Sequence, residues 1–197
     1  MVRSDRFKEL YFSYIEYKPK TIFHEAVSEI ILFLFSWVPT LLGVFLRIVF
    51  YKLIFRRIGF ASIKNSVEFK DTFNIDIGNF VTIKKHAYLS GYSKNGGLRI
   101  GNHCFLDHYA YIKCQGEHGI FIGDHSYIGP FTQIISVGPI EIGSDVLIAG
   151  QCFIVSGDHP TEGKGPVGKK IKKAEGITIG DGSWIGANVK IVDGVKI

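Results

Sequence analysis

Aliphatic residues recur at every sixth position through most of this chain: Ile77, Ile83, Leu89; Ile100, Leu106, Ile112; Ile122, Ile128, Ile134; Ile142, Ile148, Ile154; and Ile179, Ile185, Ile191, Ile197. A helix turns every 3.6 residues and cannot keep such a series on one face, whereas an extended strand, with a period of two, can. Four places after the aliphatic residue the side chain is small or β-branched, at Val81, Ala87, Cys104, Ala110, Ser126, Thr132, Val146, Cys152, Ser183, Val189 and Val195. The pattern predicts an all-β fold, a narrow three-sided prism walled by short parallel strands, each six-residue side giving one large and one restricted inward position. Three hexads make a coil. Five coils at about 4.8 Å each make a column roughly 24 Å tall. Glycines after the aliphatic residue, such as Gly78, Gly101, Gly123 and Gly143, are expected at the corners, where a positive φ is costly for other residues.

The blocks begin 23, 22, 20 and 37 residues apart, so the fourth connection is the one long excursion. Its sequence, SGDHPTEGKGPVGKKIKKAEG, is expected to form an extended loop over 156–176. Long loops on a rigid scaffold are where binding and catalytic residues concentrate.

The first sixty residues differ in kind. They hold nine of the sixteen Phe but two of the 23 Gly, and carry nine basic against five acidic side chains, most of the chain's net charge of +5. Residues 30–46 are seventeen uncharged residues interrupted by Pro39 and Gly43, followed by Arg47, Lys52, Arg56 and Arg57. Crossing a bilayer core takes about 20 apolar residues, and proline kinks a helix. The segment also lacks the position and cleavage site of a secretory signal. The expectation is a kinked hairpin or helix pair within one leaflet, with residues about 22–57 meeting the membrane and those four cations reaching acidic headgroups on the cytoplasmic face. The alternative is that this apolar face packs on a neighbouring subunit or on the rest of the chain. The chain thus divides into a helical, membrane-associating region, 1–60, and a coil domain, 61–197.

Three cysteines, Cys104, Cys114 and Cys152, have neither the number nor the spacing of a disulfide framework or zinc knuckle. The coil region is nearly neutral and gives no basic face for nucleic acid.

At these residues the chain resembles the hexapeptide-repeat acyltransferases. That resemblance implies a left-handed parallel β-helix, a homotrimer and acetyl-CoA as donor substrate, with no metal. The stretch YKLIFRRIG and the loop GDHP followed by ITIGDGSWIGANVKIVDGVKI are similar to the sugar O-acetyltransferases, among them the galactoside and maltose acetyltransferases. Carried over residue by residue, the resemblance makes His159 the general base and Trp184 an aromatic contact of the donor, and sets Asp107 facing the acceptor. Gly186 and Ala187 fall in the donor-binding coil, Asp158 could orient His159, and Lys169 and Lys170 could meet the phosphates of coenzyme A. Histidine suits the chemistry, because a sugar hydroxyl attacking a thioester needs a base that titrates near neutral pH. The expected function is O-acetylation of a cell-surface glycan or its lipid-linked precursor.

Three other readings stand beside it. One is a sugar-nucleotide N-acetyltransferase, which would not need the apolar N-terminus. Another is a membrane-tethered scaffold without catalysis. The third is a metal enzyme like the gamma-class carbonic anhydrases, using His103, His108 and His125 as zinc ligands. The chain stops at Ile197, the first residue of a new hexad, so the last coil is expected to present an open edge and an incomplete donor site.

Overall fold

The computed structural model of the protein describes residues 19–158 and 174–197. Helix α1 (Pro19–Phe35) and helix α2 (Thr40–Phe50) form a hairpin, followed by a single 3-10 turn, Tyr51–Leu53. Eighteen short strands then wind through repeated coils. The first coil holds β1 (Arg57–Ile58), β2 (Ser62–Ile63) and β3 (Glu68–Lys70), the second β4 (Ile75–Ile77), β5 (Thr82–Ile83) and β6 (Tyr88–Ser90), and the third β7 (Leu98–Ile100), β8 (Phe105–Leu106) and β9 (Tyr111–Cys114). The fourth comprises β10 (Ile120–Ile122), β11 (Tyr127–Ile128) and β12 (Gln133–Ser136), and the fifth β13 (Ile140–Ile142), β14 (Leu147–Ile148) and β15 (Phe153–Ser156). The sixth has β16 (Ile177–Ile179), β17 (Trp184–Ile185) and β18 (Lys190–Ile191).

Every third strand belongs to the same face, which gives three parallel sheets of six strands. Register follows the sequence repeat: on the first face Ile77 pairs with Ile100, Ile100 with Ile122, Ile122 with Ile142, and Ile142 with Ile179. These isoleucines are almost wholly buried and form one continuous core along the axis. The five coils expected from Ile77 onward are all present. The turn before them, beginning at Arg57 rather than at residue 61, escapes a six-residue search because Ile58 and Ile63 are five apart; they still pair with Ile77 and Ile83.

The small inward position does more than fit. Ser126 and Thr132 donate hydroxyl hydrogen bonds to the carbonyls of Gly143 and Ala149, both at 2.9 Å. The thiols of Cys104 and Cys152 reach Gly123 and Gly186 carbonyls in the same way. A buried polar group is thereby satisfied by the adjoining coil's backbone.

The role expected for glycine holds at the edge between the third and first faces, where Gly97, Gly116, Gly157, Gly176 and Gly194 have positive φ, and is corrected for the glycines that follow the aliphatic residue. Positive φ falls on Phe80, His103, His125 and Asp145 at one edge, and on His86, Tyr109, Phe131, Gln151 and Asn188 at the next. The Ile-Gly glycines instead serve close approach: a Cβ on Gly123 would lie 2.5 Å from the Gly143 carbonyl carbon. The left-handed corners cost about 1–2 kcal/mol per residue, offset by rings that stack at the coil spacing. His86–Tyr109 and Tyr109–Phe131 centroids are 4.9 and 4.8 Å apart, and His103–His125 are 4.8 Å apart.

The hairpin is locked onto the first coil. Arg47, 1% exposed, donates from Nε to the Ile63 carbonyl at 2.9 Å and from Nη1 to the Phe35 and Val38 carbonyls at 2.7 and 2.9 Å. Phe35 stacks on Phe50 at 4.3 Å, and Gly43 lets the Val38 carbonyl come against α2, where a Cβ would collide with it. This corrects the expectation that Arg47 reaches headgroups: the guanidinium is consumed inside the hairpin, satisfying carbonyls that the broken helix leaves open. Arg56 is also engaged, in a two-pronged ion pair with Asp76. Among the described residues no helix is long and apolar enough to cross a membrane.

Candidate functional site

The expected site residues fall at two edges of the prism. Asp107 follows β8 and occupies the corner between the second and third faces in the third coil. Asp158 follows β15, at the corner between the third and first faces in the fifth coil, and is exposed. The two therefore stand at different edges, two coils or about 10 Å apart along the axis. His159, Lys169 and Lys170 lie outside the described residues.

Trp184 opens β17 and is 76% exposed, beside Leu147 of the adjoining strand. Gly186 and Ala187 follow it at the same corner as Asp107, since the amide chain runs Asp107 to Ile128, Gly129 to Ile148 and Ala149 to Ile185. Three coils separate Asp107 from Gly186. Nothing lies within 4 Å of a Cβ built on Gly186, so the space beside that backbone is open.

Asp107 is the centre of an ordered polar group. Its Oδ1 accepts the His108 backbone N–H and lies 2.7 Å from His108 Nδ1, and its Oδ2 accepts the Tyr127 hydroxyl at 2.8 Å. Burial pushes the carboxyl up, but the hydrogen bonds from His108 and Tyr127 outweigh it and hold Asp107 below the ordinary carboxylate range. Burial and the bond to Asp107 raise the Tyr127 phenol. A carboxylate on Nδ1 fixes the tautomer and orientation of an imidazole and leaves Nε2 for other partners. His108 is half exposed, so the pair can present Nε2 outward.

The sequence reading did not assign Tyr127 and considered His108 only as a metal ligand. A signal was available: Tyr127 pairs in register with Phe105, and Asp107 shares the outward parity of Phe105, which brings the phenol across one coil to the carboxylate. His108 stands at a different corner from the stacked His103 and His125, so the three do not converge. Among the described residues no group of three His, Cys, Asp or Glu side chains could hold a metal. Beside Asp107, His86, Tyr88, Tyr109, Tyr111, Phe131 and Gln133 line a groove of about 310 Å³, in which Tyr88 and Tyr111 stack at 4.7 Å.

No family model matches the chain. In sequence it is similar to "Putative acetyltransferase YJL218W" of Saccharomyces cerevisiae, 33% identical over 84 residues, which are 43% of this chain and 42% of that protein. It is also similar to "Putative lipopolysaccharide biosynthesis O-acetyl transferase WbbJ" of Escherichia coli, 28% identical over 94 residues, with 44% of this chain and 48% of that protein covered. The chain spans less than half the length of these curated relatives. A solved structure of a variant of AntD, an N-acyltransferase from Bacillus cereus, in complex with dTDP-4-amino-4,6-dideoxyglucose and coenzyme A, superposes with a TM-score of 0.48 at 21% identity, over 73% of this chain and 66% of that one. The sequence similarities are to proteins named as acetyl transferases, and the six-residue repeat of this chain builds a parallel β-helix.

Proposed function

We propose that the chain is an acetyl-CoA-dependent O-acetyltransferase acting on a hydroxyl of a cell-surface glycan or its lipid-linked precursor, with His159 as general base. The observation that carries the reading is the hexapeptide prism joined to sequence similarity with two proteins named as acetyl transferases. The O-acetyl transfer in the name of WbbJ favours oxygen over nitrogen as the accepting atom.

In this reading His159 takes the hydroxyl proton as the sugar oxygen attacks the thioester carbonyl. The tetrahedral intermediate is held by a backbone amide and collapses with cleavage of the carbon–sulfur bond. The imidazolium then returns its proton to the departing thiolate. Asp158 orients the ring, Trp184 stacks on the donor, Gly186 and Ala187 leave room beside the sixth coil for it, and Lys169 and Lys170 meet its phosphates. Asp107 binds the acceptor through a free lone pair, and the adjoining Tyr88–Tyr111 stack gives a pyranose ring apolar faces to lie on. Because Asp107 and Asp158 stand at different edges of one prism, a homotrimer that sets one prism's edge against another's would bring both into a shared cleft.

The test is transfer of radiolabelled acetyl from acetyl-CoA to glycolipids extracted from the producing cells. His159→Ala should lower turnover by about 10²–10⁴-fold while calorimetry finds acetyl-CoA binding unchanged. Turnover within a few-fold of the parent would remove His159 from the role.

A further inference from the structure

We infer that the α1–α2 hairpin is an in-plane anchor that seats the prism on one leaflet of an anionic membrane, with Trp37 at its inserted turn. The hairpin and the 3-10 turn after it expose large apolar side chains: Phe33 is 78% exposed, Trp37 66%, Leu41 82%, Phe45 61% and Leu53 66%. On α2, Leu41, Phe45 and Val49 follow at intervals of four and share one helix face. Scattered exposed apolar residues need no explanation, but a face of this kind marks an interaction site.

Charge selects the occupant. Residues 30–67 contain five cationic side chains and no Asp or Glu. Arg47 is buried within the hairpin, Arg56 is paired with Asp76 and Lys64 is half-buried on the first coil, which leaves the exposed Lys52 and Arg57 flanking Leu53 and facing outward. Apolar side chains bordered by cations match the acyl–headgroup boundary of an anionic leaflet. A second copy of the same surface would bring like charges together with no acid in this segment to pair them.

Length selects the mode. The 17-residue α1 is about 26 Å long and the 11-residue α2 about 17 Å, both short of the roughly 30 Å hydrocarbon core. The Arg47 bonds to Phe35, Val38 and Ile63 carbonyls, and the Ser66 amide bond to the Ser36 carbonyl, hold the turn against the first coil. Insertion therefore carries the prism with it as one body. Resting on the transferase reading above, a prism held at the headgroups takes its acceptor from the same plane, so the glycan it modifies is one attached to a lipid.

The experiment uses the full chain with Trp184→Phe, so that Trp37 is the sole tryptophan, in flotation with vesicles of phosphatidylcholine and phosphatidylglycerol at 3:1. The protein should float with these vesicles, the Trp37 emission should shift to the blue, and lipids brominated near the headgroup should quench it. Replacing Lys52 and Arg57 together by Gln should weaken partitioning by about thirtyfold, and pure phosphatidylcholine should bind more weakly than the mixture. Failure to float, or a Trp37 shift that depends on protein concentration and not on lipid, would overturn the anchor. None of these readouts depends on acetyl transfer, so loss of the enzymatic reading leaves them standing, and the reverse also holds.

Discussion

Replacing Arg47 by Met is the perturbation that most directly tests how the hairpin is held. The side chain makes three hydrogen bonds of 2.7–2.9 Å to neutral carbonyls. Burial lowers its pKa without a facing carboxylate, so the site has carried the full desolvation of a cation and recovers it only through those carbonyls. Hydrogen bonds to charged groups contribute about 1.5–3 kcal/mol each, and much of the sum is cancelled by desolvation. Met fills most of the volume but strands the Phe35, Val38 and Ile63 carbonyls. The net loss is about 3–5 kcal/mol, two to three and a half decades in a local opening equilibrium. The assay is native-state hydrogen exchange. Amides of α1 and α2, and the Ser66 amide that donates to Ser36, should exchange about 100-fold or more faster, while amides of β9 and β12 in the middle of the prism keep their rates. Arg47→Lys should recover only part of the protection, because an ammonium cannot reproduce the planar fork. Helix amides that exchange within threefold of the parent would refute the account.

Two further outcomes follow from groups shifted by their surroundings. Burial pushes the Cys104 and Cys114 thiols up to about 11 and about 12, so neither should react with a thiol reagent at neutral pH in the folded chain, and both should react in urea; rapid native labelling of either would contradict their burial. The Asp107 carboxyl is depressed, so its stabilising contribution is fully present above the unfolded carboxyl pKa of about 4 and is lost as pH falls through the lower folded value. Asp107→Asn should therefore be less stable than the parent at neutral pH, with the difference shrinking toward acid in urea midpoints; two curves that stay parallel would show that the Tyr127 and His108 bonds contribute nothing to folding.

Much of the prism was legible because its determinant is local and repeated. Each inward isoleucine reports its own coil, and the coils align by hydrogen bonding at fixed register, so the period of six was enough to place Ile77 through Ile191. The first coil was hidden by a single missing residue between Ile58 and Ile63, which a corner absorbs without changing the pairing. The role of the glycines after the aliphatic residue differs from the expected one because sequence shows that a small residue is wanted but not whether φ or an approaching backbone demands it. Arg47 was misplaced for a different reason. A cation after an apolar run looks like a headgroup contact, and only the break at Ser36–Pro39 creates the cluster of open carbonyls that draws it inward. The polar group at Asp107 depends on a contact between coils, Tyr127 to Asp107, twenty residues apart, which periodicity contains but residue type alone does not announce. His159 belongs to the resemblance and to the long loop's composition.

The hydrogen bonds between coils run in both senses: corner amides such as those of Phe80, His103 and His125 give back to Phe60, Asn79 and Asn102, while others give forward. The Ser62 amide gives to Val81, Thr82 to Cys104, Phe105 to Ser126, Tyr127 to Val146 and Leu147 to Ser183. Each coil therefore gives and accepts on both sides, and the first coil, whose β1, β2 and β3 end the three sheets, leaves amides and carbonyls at an open edge. Such an edge is a template for the edge of another prism, and head-to-tail stacking would grow a fibre. Arg47 closes that route by giving its Nε–H to the Ile63 carbonyl, so the hairpin works as a stopper that makes the column finite.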